Sequence, residues 1–133
     1  MQRNCWLRLT MLEDQSGANQ GHLVNIAGRQ RMLSQRLGNL YMLLSWGFDN
    51  PELRADYNKA KREFDEALLE LISAQENTPQ ISSELKKVSQ NWDMFKLSDR
   101  MGDNEYVPGL VARMLDKILI QMNDIIGYYA ALP

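Results

Sequence analysis

An all-α fold, an antiparallel up-down-up-down four-helix bundle, is predicted by three features of the sequence. Proline and glycine divide most of the 133-residue chain into four segments of helical length. Each segment repeats apolar residues at alternating three- and four-residue steps, which is the helical period. The turns between segments are short, so sequential neighbours should pack antiparallel, in a bundle roughly 35 Å long at about 1.5 Å per residue.

Capping residues predict where the first three helices begin and end. Gly47 is a C-terminal stop, Asn50 an N-cap, and Pro51 occupies the first helical position of the next segment. Thr78 and Pro79 repeat the cap and the first position. The predicted segments are A (about Gln20–Trp46), B (Pro51–Glu76), C (Pro79–Arg100) and D (about Glu105–Ala131).

The boundary between segments C and D is predicted within "DRMGDNEYVPGL". Gly102 is the stop, Asp103 or Asn104 is the cap, and Pro108 lies in the first turn of segment D.

The N-terminal residues give a weaker pattern. Trp6, Leu9 and Leu12 could extend segment A backwards, whereas "QSGANQG" favours a break or fraying. We therefore expect residues 1–19 to form a loosely ordered or helical extension, and residues 20–133 to form the bundle. Cys5, the single cysteine, is interpreted as an incidental thiol that allows no internal disulfide.

The apolar repeats predict the bundle core. Narrow stripes of this kind suit helices that lie side by side and cross at small angles. The predicted core residues are Leu23, Ile26, Gln30, Leu33, Leu37, Leu40 and Leu44 in A; Leu53, Tyr57, Ala60, Phe64, Ala67 or Leu68, and Leu71 in B; Ile81, Leu85, Val88, Trp92 and Phe95 in C; and Val107, Leu110 or Val111, Met114, Ile118, Gln121 or Met122, Ile125 and Tyr129 in D.

Composition bounds the class of protein. The chain is 44% hydrophobic and 24% charged, with a formal net charge of −2, which gives no reason to expect a nucleic-acid partner. No apolar run has the length of a transmembrane helix. The stretch "NCWLRLTML" is a poor signal peptide, because it lacks a long apolar core and a small-residue cleavage site. We expect a soluble protein or the soluble piece of a longer one, related to a membrane only through flanking segments that this chain lacks.

Recognisable catalytic and cofactor chemistry is missing from the sequence, so we predict that the protein is not an enzyme and holds no cofactor or metal. His22 is the one histidine, which rules out a repeated Glu-x-x-His di-iron motif, and it is interpreted as a surface residue. The eight methionines are scattered over different helical faces, which is typical of core filling.

One face of segment A is poor in charge. Val24, Gly28, Arg31, Gln35 and Gly38 fall together, roughly opposite the core stripe, and there is no Asp, Glu or Lys from Gln15 to Phe48. A glycine inside a helix costs about 1 kcal/mol relative to alanine, so another backbone or a ligand is expected to come close to it. This face therefore indicates a second contact surface.

The arginines of "NIAGRQRMLSQRL" suggest what that surface binds. If two copies meet there about a twofold axis, Arg31 approaches its mate, and an anion between the guanidiniums would relieve their repulsion. For Arg31 we favour this anion or dimer role. For Arg29 and Arg36, at the edge of the core stripe, we favour pairing with acids of other helices. The candidate acids are Asp99, Glu63 and Glu66.

The same thirteen residues, Asn25 to Leu37, closely resemble the signature of the PilJ-type sensor domain of type IV pili methyl-accepting chemotaxis proteins. They are also similar to the shorter signature of the periplasmic sensors in nitrate/nitrite histidine kinases. In both families the signature lies on the first helix of a four-helix bundle. Arg29 replaces the small residue of the kinase sensors, as is usual in the PilJ-type branch.

The resemblance implies an anion bound at a dimer interface between two first helices. By position, Arg31 would contact the anion, helped by backbone near Gly28, and the candidate ligand residues are Gly28, Arg31, Ala27 and Gln35. A second tier, structural or ligand-supporting, comprises Arg29, Arg36 and Asn25. A periplasmic location is likewise implied by the resemblance alone.

The predicted function is therefore a bacterial sensory domain that binds a small anion, nitrate or nitrite, as a homodimer. The alternative is a non-catalytic helical interaction module, in which the back of helix A dimerises or binds a protein partner without a small ligand. Dimerisation strengthened by one oxyanion would favour the sensor, and salt-dependent dimerisation without a preferred anion would favour the module.

Overall fold

Four helices build the protein in the computed structural model, which describes the backbone of residues 2–48, 50–101 and 107–133 and the side chains of residues 19–48, 50–99 and 107–133. The helices are α1 (Gln2–Ser45), α2 (Pro51–Ile72), α3 (Pro79–Met101) and α4 (Pro108–Ala130). α1 contacts α2 and α4, and α3 contacts the same two helices, so the four close into a bundle. The predicted all-α four-helix bundle is confirmed.

Hydrogen bonds at the two ends of the bundle fix the direction of α1 relative to α4. The backbone N–H of Val107, before α4, donates to the hydroxyl of Tyr41 near the end of α1 at 2.9 Å. At the opposite end, the amide Nε2 of Gln20 donates to three carbonyls that close α4, including that of Tyr129 at 3.0 Å. α1 and α4 are therefore antiparallel.

The predicted caps form where the sequence placed them. The side chain of Asn50 accepts from the N–H of Leu53 at 2.8 Å, and the hydroxyl of Thr78 accepts from the N–H of Ile81 at 3.2 Å. Each bond satisfies a helix N–H that has no partner within its own helix. Gly47 has φ +91°, a left-handed backbone that glycine adopts without steric cost, and it ends α1 as predicted.

The end of α2 differs from the prediction. The helix stops at Ile72 and not at Glu76, because the side-chain amide of Asn77 turns back and donates to the carbonyl of Leu71 at 2.7 Å. The Leu71 carbonyl thus has a hydrogen-bond partner without a further turn of helix.

The features predicted between the third and fourth helices lie outside the described residues: Gly102, Asp103, Asn104 and Glu105.

α1 is one continuous helix through "QSGANQG", so the break expected there is absent. Extending an existing helix adds one backbone hydrogen bond for each residue fixed, which outweighs the modest cost of two glycines. Asn19 and Gln20 also bind the α2–α3 turn and the end of α4. The side chains of Cys5, Trp6, Leu9 and Leu12 lie outside the description.

The core confirms most of the predicted stripes and widens one of them. Every predicted core residue of α1 and α3 is buried, and in α4 the buried alternatives are Val111 and Met122. Val107 was wrongly predicted as core, since it precedes α4 and is 41% exposed. The buried residues that the stripes missed are Ala27, Ser34, Tyr41 and Leu115. The first three arise because α1 packs against both α2 and α4, so its buried face is broader than one stripe. Leu115 is buried for the same reason on α4, which packs against both α1 and α3.

Candidate ligand site on the first helix

The candidate site lies on the α1 back face, by which we mean Val24, Gly28, Arg31, Gln35 and Gly38. Arg31 and Gln35 are exposed, and the other three are half-buried. The face borders α4: a Cβ built on Gly38 would lie 3.7 Å from the side chain of Leu115. The five residues therefore share one accessible strip beside the α1–α4 junction.

Gly28 has no packing role within the protomer. A Cβ built there meets no atom within 4 Å, so alanine would fit. A helical glycine costs about 1 kcal/mol relative to alanine, and nothing in the described part of the protomer offsets this cost. The open space beside Gly28 is where a second backbone could approach.

Arg31 is the cation of this face, and its partner is neutral. Its Nη1 donates to the amide Oδ1 of Asn123, on α4, at 3.1 Å. Among the described side chains no carboxylate lies within 4 Å of the Arg31 guanidinium. Since an amide carries no charge, the positive charge of Arg31 remains uncompensated and faces outward.

The other two arginines of the motif point to the opposite neighbour, α2. Arg36 forms an ion pair with Asp56 at 2.8 Å, and Arg29 approaches Glu63 at 3.9 Å. Pairing with acids of another helix is therefore confirmed for both. Glu63 was among the predicted acids and Asp56 was not. Asp99, another of the predicted acids, instead forms an ion pair with Lys61 at 2.7 Å.

The remaining candidates divide between the surface and the core. Asn25 and Gln35 are exposed, so their amides are accessible to a ligand. Ala27 is 0% exposed, and its methyl group packs in the core. A methyl group that faces the core cannot contact a ligand on the back face, so a ligand there could meet Ala27 through its backbone alone.

A groove runs between α1 and α4, and it includes Gln35 and Gly38 of the α1 back face. It has a volume of about 220 Å³ and is largely apolar. Its lining residues include Gln35, Gly38 and Met42 from α1 and Leu115, Asp116 and Leu119 from α4. None of the predicted site residues lies on α4. Asn123 could be found only by knowing which face of α4 meets α1.

A separate polar cluster joins α2 to α3. Asp65 accepts from the indole Nε1 of Trp92 and from Nζ of Lys96, each at 3.0 Å. Burial acts to raise the pKa of the Asp65 carboxyl, but these two donors outweigh it and hold the pKa below its ordinary value. Asp99 accepts from the hydroxyl of Tyr57 at 2.9 Å, and burial together with the Asp99 charge raises the pKa of that phenol.

Other chemistry is limited in the described residues. His22 is exposed and bonds to Glu70 at 2.9 Å, in agreement with its interpretation as a surface residue. The described side chains include no group of three His, Cys, Asp or Glu able to hold a metal ion. In the same part of the chain, no helix combines the length and the apolar character that crossing a membrane requires.

Comparison with known proteins agrees with the fold and the motif. The family model for the N-terminal region of type IV pili methyl-accepting chemotaxis transducers, PilJ, matches residues 15–100. Among solved structures, the ligand-binding domain of the P. aeruginosa nitrate receptor McpN superposes with a TM-score of 0.70 and 20% identity, covering 81% of this chain and 93% of that one. At this identity the likeness shows the fold. No curated protein matches the chain.

Proposed function

The chain belongs to the PilJ family of chemotaxis-transducer N-terminal domains, and we propose that its ligand is nitrate or nitrite, bound between two copies of α1. The domain is a ligand-binding sensory domain, which accords with a non-catalytic role. The finer proposal names one anion for each homodimer. Arg31 of both copies would bind it beside Gly28, with Gln35 as a further donor and the backbone near Ala27 at the edge.

The uncompensated charge of Arg31 is the observation that carries this proposal. Arg29 and Arg36 each have a carboxylate of α2 close by, whereas the side-chain partner of Arg31 among the described residues is the neutral amide of Asn123. A guanidinium donates paired hydrogen bonds to planar oxyanions, and nitrate and nitrite present suitable oxygens. We assign Arg29, Arg36 and Asn25 supporting or structural parts.

The open space at Gly28 supports the dimer. Helices approach most closely where a residue has no side chain, and no atom of the described residues lies within 4 Å of a Cβ built on Gly28. In a twofold interface each residue faces its mate or a near neighbour, so Arg31 of one copy would lie near Arg31 of the other. The two guanidiniums would repel each other, whereas an anion bound between them would attract both, so the electrostatic energy of the interface would become favourable.

The mechanism that follows is a population shift. The anion favours the packing of the two α1 helices that brings the guanidiniums together, and it biases a small sliding motion within the bundle. A difference of about 1–3 kcal/mol in binding free energy between two packings is typical of such coupling. We also propose that the domain faces the periplasm, where receptors of this kind would meet the anion.

Calorimetric titration tests the proposal most directly. Nitrate, nitrite, sulfate and chloride would be titrated into the wild-type protein, Arg31→Ala, and a matched control, Arg62→Ala, which removes the same charge from an exposed position on α2. We expect saturable nitrate or nitrite binding near one anion per dimer. Arg31→Ala removes charged hydrogen bonds from both copies and should weaken binding at least about 100-fold, whereas Arg62→Ala should leave it nearly unchanged.

Two glycines of α1 provide a second matched pair. Gly21 and Gly28 are both helical, and a Cβ at either meets nothing within 4 Å, so alanine should stabilise the isolated protomer similarly at each. Gly28→Ala should weaken anion-dependent dimerisation in sedimentation experiments, and Gly21→Ala should not. Equal dimerisation of both variants would contradict the interface. Salt-dependent dimerisation without a preferred anion would identify the protein as an interaction module.

A further inference from the structure

Resting on the proposed function, we infer that Asn123 of α4 is a positioning residue for Arg31 and supplies the anion with a second donor. Its Oδ1 accepts from Arg31 Nη1 at 3.1 Å. This bond spans 92 positions of sequence and joins the two helices on either side of the groove. It places a residue of α4 in direct contact with the guanidinium that is proposed to bind the ligand.

The position of Asn123 follows from the way α4 packs. Met122 and Ile125 are buried, so the helical period brings Asn123 to the exposed edge of the buried face. α4 runs antiparallel to α1, and this edge meets α1 at the level of Arg31. The exposed amide therefore reaches across the helix junction, where it restricts the rotamers of the arginine.

The amide is well suited to hold an anion-binding arginine because it is neutral. A carboxylate at the same position would compensate the guanidinium charge, as Asp56 does for Arg36. Asparagine instead uses one lone pair to orient Nη1 and leaves the other guanidinium donors free. The arginine is fixed in direction without losing its charge.

The other half of the amide is available to the ligand. With Oδ1 turned to Arg31, the NH₂ group of Asn123 has no hydrogen-bond partner among the described residues. Two N–H donors thus lie beside the guanidinium, with the same preference for oxygen acceptors. A bound oxyanion would then contact α1 through Arg31 and α4 through Asn123, so occupancy would bias the relative position of these two helices.

Substitutions at Asn123 test the inference, with nitrate as the probe. Asn123→Asp should pair with Arg31 and weaken nitrate binding at least about 100-fold, and Asn123→Ala should weaken it about 5- to 20-fold. Asn123→Gln keeps the amide and should recover part of the loss. Asn58→Asp adds the same charge at an exposed position on α2 and should change affinity less than about twofold. Nitrate affinity of Asn123→Asp within about threefold of wild type would overturn the ligand contact.

A measurement without ligand separates this inference from the proposed function. In nitrogen-15 spectra of the ligand-free protein, the Arg31 guanidinium should show restricted rotation in the wild type and freer rotation in Asn123→Ala, with Arg62 as the reference. Unchanged Arg31 signals would overturn the positioning role. If wild-type protein bound none of the anions, the donor role would be refuted with the proposed function, and the spectra would still decide the positioning role.

Discussion

Replacing Gln30 with methionine should stabilise the protein, although it removes a hydrogen bond. Gln30 is 0% exposed and belongs to the core stripe of α1. Its Nε2 donates to the carbonyl of Phe64 at 2.8 Å, while its Oε1 is buried and has no hydrogen-bond partner among the described residues. The amide is thus half satisfied in an apolar environment, where an unpaired acceptor is costly.

The magnitude follows from two opposing contributions. An unsatisfied buried acceptor costs about 1–3 kcal/mol, and a paired hydrogen bond contributes about 0.5–1.5 kcal/mol net. The Phe64 carbonyl remains an acceptor within α2, so losing Gln30 does not leave it unpaired. Methionine has the same side-chain length as glutamine, and its flexible, unbranched chain can fill the space of the forked amide without leaving a large cavity. We expect Gln30→Met to raise the free energy of unfolding by about 1 kcal/mol.

Urea unfolding at neutral pH measures the change in the free energy of unfolding. All variants are compared at one protein concentration, because dimerisation would shift their apparent stability. Gln90→Met makes the same change at an exposed site of α3 and should lie within about 0.5 kcal/mol of wild type. Gln30→Ala should be destabilising, because it leaves a cavity. A loss of more than about 1 kcal/mol in Gln30→Met would refute the reasoning, since it would mean that Oε1 is satisfied, for example by a buried water.

Three further predictions concern caps and pH. Asn50→Ala removes the acceptor for the first turn of α2 and should lower the free energy of unfolding in urea by about 1 kcal/mol. The pKa of Asp65 is lowered in the folded protein, so its contribution is present above its ordinary pKa of 3.8 and is lost as the pH falls; Asp65→Asn should flatten the acid side of a plot of melting temperature against pH. Burial raises the pKa of Tyr129 to about 12 and also raises that of Tyr57, so stability should fall above pH 10, where the unfolded phenols ionise. Tyr129→Phe should reduce that alkaline loss, and an unchanged slope would exclude Tyr129 as its source.

The sequence predicted local features well because their causes are local. The caps at Asn50 and Thr78 depend on side chains that bond to backbone three residues ahead, and Gly47 needs only its own φ angle. The core stripes likewise follow from the helical period. The pairing of Arg36 with a neighbouring acid was predicted in kind, but its partner, Asp56, was not, because the register between α1 and α2 is absent from any local pattern.

What the sequence missed depends on how helices meet. Ser34 and Tyr41 are buried because α1 packs against two neighbouring helices. The apolar repeat marks the centre of the buried face of α1 but does not give the width of that face. Asn123 became a candidate only when α4 was seen to pack antiparallel to α1. The motif therefore identified the arginine, whereas the residue that orients it came from tertiary structure.

The two sides of α1 differ in how they would respond to an anion. Toward α2, Arg36 and Arg29 already have carboxylates close by, and an added anion would compete with Asp56 and Glu63. Toward α4, Arg31 has no ion pair with a described carboxylate, so an anion would add an attraction without displacing one. An anion bound to Arg31, as proposed, would therefore act on the α4 side of α1 and leave the ion pairs with α2 in place. A signal carried by this domain should be a change in the position of α4 relative to α1, with α1 and α2 moving together.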